Sequence, residues 1–253
     1  MPGRTLDQRI RANQETKGWT VKRVLRLEPR AKVEQWCVEL AAAMSFLETL
    51  NLAHGDLRLT NVSLDNEDHI KLADFDSTAS FGSPCFGGCA PWWRILGPEG
   101  GSEHGDTGDP GVRTESFGYG SIVYTISHGH EPYEPYEPDE DPTEIIRKFR
   151  YMRFPALSED LLDVVIGKCW NNSYVSLKEL ESETSRLFGI VAAACVQRLH
   201  DPLLESLRDW CREINNTVHL ATRCMGARKT PDGYNILPEI CTEQHDGGVE
   251  IHD

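Results

Sequence analysis

His54-Gly55-Asp56-Leu57-Arg58-Leu59-Thr60-Asn61, followed after a short gap by Asp74-Phe75-Asp76, is the stretch on which the reading of this chain turns. Phosphoryl transfer asks little covalent chemistry of a protein. It asks that a nucleophile be aligned and that phosphate charge be neutralised by metal ions and cations. One carboxylate beside the attacking hydroxyl orients it or takes its proton. A second carboxylate and an amide oxygen hold Mg²⁺, a hard ion that prefers oxygen ligands. Asp56, Asp74 and Asn61 supply groups of those three kinds. Between them Val62-Ser63-Leu64 and Ile70-Lys71-Leu72-Ala73 flank the turn-rich Asp65-Asn66-Glu67-Asp68. This pattern predicts a small hairpin that folds the two acidic sites back towards each other.

Upstream, Val33, Trp36, Cys37, Leu40, Ala41, Met44, Leu47 and Leu50 recur at three- and four-residue steps. They mark one stripe of an amphipathic helix over Arg30–Leu50, with Pro29 suited to its start. Residues 77–113 are rich in Gly, Ser and Pro and read as a long functional loop. Phe117–Ser127 is apolar on nearly every side, as a buried helix requires. The tandem Glu131-Pro132-Tyr133-Glu134-Pro135-Tyr136-Glu137-Pro138 reads as a solvated acidic loop. Further helices are expected at 142–151, 158–170, 176–188, 189–199 and 203–225, with a loosely ordered tail from Gly226. Residues 1–29 are polar and mixed in charge, without a periodic pattern.

Composition narrows the partners. The 253 residues carry 39% hydrophobic and 26% charged side chains, which suits a globular protein with a core. A net charge of −14 argues against a phosphate-backbone partner and against an anionic membrane. No apolar run approaches the ~20 residues that span a bilayer. The first residues lack the apolar core of a signal peptide. Eight scattered cysteines form no CxxC pair, and Cys85 and Cys89 have no companion pair at zinc-finger spacing. Free thiols in a reducing compartment follow, and so a cytoplasmic or nuclear location. The partners expected are proteins, as substrate or as binding partner.

H-x-D-x-x-x-x-N, two short strands and D-F-x resemble the catalytic loop and metal-binding motif of eukaryotic protein kinases. Gly97-Pro98-Glu99 stands where that family has A-P-E. Thr114-Glu115-Ser116-Phe117-Gly118-Tyr119-Gly120 stands at the start of its buried central helix, and Cys169-Trp170 resembles a pair near the end of many kinase C-lobes. The runs ADFDSTA, APWWRILGPE and HGHEPYE are similar to those of fungal kinase-like proteins. The resemblance covers roughly residues 5–188. It implies a mainly α fold with a small β-hairpin, the C-terminal lobe of a protein kinase, over 1–188. A helical extension over 189–225 and a tail over 226–253 would follow.

The resemblance also implies roles. Asp56 matches the catalytic base, and Asn61 and Asp74 match the Mg²⁺ and nucleotide ligands, with ATP as phosphoryl donor and a Ser or Thr hydroxyl of a protein as acceptor. Arg58 falls where Ser/Thr kinases carry a Lys that meets the transferring phosphate, though some tyrosine kinases carry Arg there. His54 and Phe75 match packed spine residues. Four departures stand out. Gly55 replaces the Arg that receives an activation-loop phosphate, and Asp76 replaces a Gly at a position where positive φ is expected. Glu115 replaces an Asp that holds the catalytic-loop backbone, its extra methylene altering the reach. Glu99 lacks the usual late Arg partner, so it either finds another or is exposed.

A kinase N-lobe, with its glycine-rich loop, phosphate-binding Lys and partner Glu, needs about 65 residues at ordinary element lengths. The helix over 30–50 needs about 20 more, and only 55 residues precede Asp56. Gly3 and Gly18 are the only glycines ahead of the loop, and Lys22 the nearest imitation of a strand lysine. The sequence therefore predicts a C-lobe alone, with the N-lobe absent or supplied by another chain. Two functions are expected to compete: an Mg²⁺- and ATP-dependent protein kinase, and a pseudokinase-type binding or regulatory module without catalysis, or a truncated kinase fragment.

Overall fold

A computed structural model of the chain describes residues 5–18, 20–83, 88, 90–134 and 142–189. The helices expected at 189–199 and 203–225 and the tail lie outside the described residues, as do six of the eight cysteines. The two that are described, Cys37 and Cys169, are free and buried.

Four helices build the core. The stripe read in the sequence forms α2 (Arg30–Thr49), and Val33, Trp36, Cys37, Leu40, Ala41, Met44 and Leu47 are all buried. Here α1 is Leu6–Arg11. The helix α3 (Val112–His128) buries every residue from Thr114 to Ile126, which explains why its sequence has no polar face. Packed around these are α5 (Leu161–Trp170) and α6 (Leu177–Phe188), the latter against α2. The helix α4 (Pro142–Arg150) lies between α3 and α5 in the chain.

Two glycines let α3 come close to its neighbours. A Cβ at Gly120 would sit 2.8 Å from Cys169 Cβ, and one at Gly118 would sit 3.1 Å from Leu57 Cβ. Polar groups inside the core are satisfied in pairs. Tyr119 donates to the Cys37 carbonyl, Ser121 to the Pro91 carbonyl, and Trp170 Nε1 to Ser121 Oγ.

Among the described residues three two-stranded antiparallel sheets accompany the helices, where one hairpin was expected. The expected one is β4 (Val62–Leu64) with β5 (Ile70–Leu72), in the register Val62 to Leu72 and Leu64 to Ile70. The second joins β3 (Leu52–Ala53) to β6 (Ala79–Ser80), inside what the sequence shows as the start of a long loop. The third joins β1 (Gln14–Lys17) to β2 (Thr20–Val24), with an irregularity between Glu15 and Thr16.

The N-terminal region is thus structured, contrary to its polar appearance. Leu6 and Ile10 of α1 are buried, and the helix packs on the turn at 59–61 and on β4. Thr5 bridges Ser63. Two apolar residues one turn apart are too few to register as a periodic stripe. The capping box was the available signal: Thr5 Oγ1 accepts from the Gln8 amide while Gln8 Oε1 accepts from the Thr5 amide, both at 3.2 Å.

Residues 131–134 also depart from expectation. Glu134 is buried and Tyr133 packs edge-on against Phe149, with its hydroxyl donating to the Arg153 carbonyl. A turn closed by the Glu134 amide on the Glu131 carbonyl folds this half of the acidic repeat inward. The remainder of the repeat lies outside the described residues.

Candidate active site

Two ladders clamp the motif residues together. The loop 54–61 leaves β3, and the segment 74–78 runs into β6, so pairing of β3 with β6 ties one pair of ends. Pairing of β4 with β5 ties the other, and the Ala73 amide donates to the Asn61 carbonyl at 2.9 Å. The Asp56 and Asp74 segments are therefore neighbours for the reason read in the sequence.

Inside this clamp, Asn61 Nδ2 donates to Asp56 Oδ2 at 2.8 Å and to the Asp56 carbonyl at 2.9 Å. Both carboxamide hydrogens are committed, and Oδ1 accepts from Thr60 Oγ1 at 3.3 Å. Asp74 is exposed on the segment that joins β5 to β6. The donors Asn61 Oδ1 and the Asp74 carboxylate are hard oxygens of the kind Mg²⁺ takes. Among the described residues no group of three or more His, Cys, Asp or Glu gathers into a self-sufficient metal cage. Mg²⁺ is ordinarily held by one or two carboxylates together with water and substrate phosphate.

His54 is the hub between the two acids. Its Nε2 contacts the Ala73 carbonyl at 3.0 Å, its Nδ1 accepts from the Asp56 amide at 3.3 Å, and its ring lies 5.1 Å from Phe75. Burial lowers its pKa, against the opposing fields of Asp56 and Asp74. The packing role expected of His54 and Phe75 agrees with this geometry, Phe75 also lying against Leu47 and Leu52.

The four departures acquire physical reasons. Gly55 has φ +79°, and a Cβ there would lie 2.1 Å from the Ser77 carbonyl oxygen. No side chain fits, so the Arg of the family pattern could not be accommodated in this loop. The positive φ expected at Asp76 falls instead at Asp74, φ 62°. The reversal comes earlier, ahead of a turn closed by the Thr78 amide on the Phe75 carbonyl at 3.0 Å, and aspartate tolerates it.

Glu115 does reach the loop: Oε2 accepts from the His54 amide at 2.8 Å and Oε1 from the Gly55 amide at 3.2 Å. It is 1% exposed. Burial pushes its carboxyl up to about 7, although the two amide bonds pull the other way. Glu99 has a partner other than the late Arg of the family pattern. Arg94 Nη1 donates to Glu99 Oε1 at 2.5 Å, and the Gly97 amide adds a second bond at 3.1 Å. Arg94 is buried and lies 5.8 Å from the centre of the Phe117 ring. The signal was local, an Arg five residues ahead of the Glu.

Arg58 is half-buried, and its Nε is without a hydrogen-bond partner among the described residues. Its charge bears on Glu131, whose carboxyl is pushed up to about 7 chiefly by burial and by the neighbouring Glu134. Arg11 reaches the same Glu131 at 3.3 Å. Sequence reading had no means of bringing α1 and the 131–134 turn to this side of the loop.

Residues 1–83 match the family described as protein tyrosine and serine/threonine kinase. The chain is 26% identical over 171 residues to the receptor tyrosine-protein kinase erbB-2 of Mesocricetus auratus, covering 60% of this chain and 12% of the receptor. The same identity and coverage relate it to the receptor tyrosine-protein kinase erbB-4 of Homo sapiens. Over 40 residues, 16% of this chain and 3% of the relative, it is 48% identical to the melanoma receptor tyrosine-protein kinase of Xiphophorus maculatus. The chain thus aligns with only a small part of these long receptors. The family match and the relatives together support a place for the chain in the protein kinase-like superfamily.

Proposed function

We propose that the chain is a kinase-like C-lobe that holds the hydroxyl-orienting and metal-holding half of a phosphoryl-transfer site. The observation that carries this reading is the Asn61 carboxamide bonded to Asp56 within a clamp that also presents Asp74. Asp56 orients the acceptor hydroxyl of a protein substrate and takes its proton. Asn61 Oδ1 and Asp74 would hold Mg²⁺, which, when bound with ATP, neutralises phosphate charge. Arg58 adds a cation beside the acceptor.

The described strands carry no glycine-rich loop, and Lys22 is exposed on β2. Phosphate would be gripped from one side only, so transfer by this chain alone is expected to be negligible. This favours a second reading, a pseudokinase-type binding or regulatory module that acts on a protein partner. An N-lobe contributed by another chain would restore the first.

Ser or Thr is the acceptor proposed from the motif, while the names of the relatives speak for Tyr. Radiolabelled phosphoryl transfer from Mg-ATP to a mixed Ser, Thr and Tyr peptide set separates these readings. The expected result is label no higher than that of the Asp56→Asn variant. Label well above it would establish catalysis, and the labelled residue would name the acceptor.

A further inference from the structure

The one carboxylate buried beneath the candidate catalytic loop is Glu115, and no cation pairs with it among the described residues. Its two oxygens are each engaged by an N–H, from His54 and from Gly55. The titratable group whose charge bears on it is Asp56, of the loop itself, while His54 meets it through its backbone amide. A neutral carboxyl carries a hydrogen on one oxygen, which weakens that oxygen as an acceptor, so the amide bonded to it is held less firmly. The loop cannot follow passively, because Gly55 is held against the Ser77 carbonyl at φ +79° with no room to move towards it.

We propose that Glu115 is a proton-operated pin of the loop that carries Asp56: ionised, it holds the His54 and Gly55 amides, and neutral, it holds one of them less firmly. The inference rests on the reading of Asp56 as the residue that orients the acceptor hydroxyl. An aspartate or glutamate with a cationic neighbour would stay ionised throughout the physiological range. Among the described residues Glu115 has none, and burial pushes its carboxyl up to about 7. The site would then be assembled on the alkaline side of that value and loosened on the acid side.

The test is NMR on the full chain, following the amide resonances of His54 and Gly55 and the side-chain carboxyl carbon of Glu115 from pH 5 to pH 9. The expected result is that all three move together with one midpoint near 7, and that in Glu115→Gln the two amides no longer titrate. If the variant fails to fold, the carboxyl carbon of the unaltered chain still decides. The idea is overturned if that carbon titrates in the ordinary carboxylate range, or if it titrates near 7 while the amides stay fixed. Amides that titrate unchanged in Glu115→Gln would assign the effect to His54 and also overturn it. None of these outcomes depends on nucleotide or on phosphoryl transfer, so failure of the pin is distinguishable from failure of the proposed function.

Discussion

Two acidic side chains, one on α3 and one on the segment ahead of it, are treated in opposite ways. Glu99, on the segment that follows the candidate site, meets Arg94 and the Gly97 amide, and its pKa is lowered by them against its own burial. Its neighbour Glu103 likewise pairs with Arg113 at 2.6 Å. Glu115, under the 54–61 loop, is more deeply buried and meets two neutral amides and no cation among the described residues, so burial raises its pKa. A paired carboxylate is a fixed piece of scaffold. One held by amides alone is poised between two states, and it supports the loop that carries Asp56. The contrast suggests that the segment 94–113 is locked by charge pairs while the loop is held by weaker, reversible bonds.

The strongest way to break this contrast is Gly55→Ala. It adds a Cβ to a left-handed position against a backbone oxygen, combining strain with overpacking at about 4 kcal/mol. Urea unfolding should show a loss of that size, together with displaced amide resonances across 54–61 and little change at 94–113.

Next in size is the pH dependence of stability. The pKa of Glu115 is raised on folding, so between the ordinary carboxylate range and about 7 the unfolded chain loses its proton first. Stability therefore falls as pH rises through that window, by about 3 kcal/mol for a fully buried group. Glu131 contributes in the same direction. Glu28, Glu99 and Glu103 have lowered values, and their stabilisation is present above the ordinary carboxylate range and lost as pH falls below it. Urea melts at pH 5, 6, 7 and 8 should show stability declining towards pH 8. Below about 6.5 the decline is offset in part by His54, whose lowered pKa favours folding as pH rises to its ordinary value. Glu115→Gln should flatten part of that slope.

Smaller still is Arg94→Ala. Glu99 is partly exposed and retains the Gly97 amide, so the loss should be about 1–2 kcal/mol by urea unfolding, with resonances at 54–61 unmoved. Lys22→Ala should change stability by less than ~0.5 kcal/mol, as an exposed strand residue does. A larger loss would mean that Lys22 has a role that its exposure on β2 does not suggest.

Much of the helical scaffold was legible because α2 repeats its apolar residues over five turns and α3 is apolar all round. Both patterns are long enough to fix element type. The β4–β5 hairpin was legible from its turn, and with it the approach of Asp56 and Asn61 to Asp74. What escaped has a common cause. α1, with Leu6 and Ile10, and β3 with β6, two residues each, are too short to carry periodicity; they owe their form to tertiary contacts with the loop. Glu115 could be placed under the loop by resemblance, but its state could not. That depends on the absence of a cation in three dimensions, which no spacing encodes. Arg94 escaped because the family pattern directed attention to a distant arginine.

The most direct test of the half-site is thermal unfolding with and without Mg-ATP, in the unaltered chain and in Asp74→Asn. Asn61 and Asp74 alone should not retain nucleotide. The expected result is the same melting temperature in all four samples to within the reproducibility of the measurement, apart from the effect of the substitution itself. A clear upward shift with Mg-ATP that disappears in Asp74→Asn would contradict it, and would show that these residues form a complete nucleotide site.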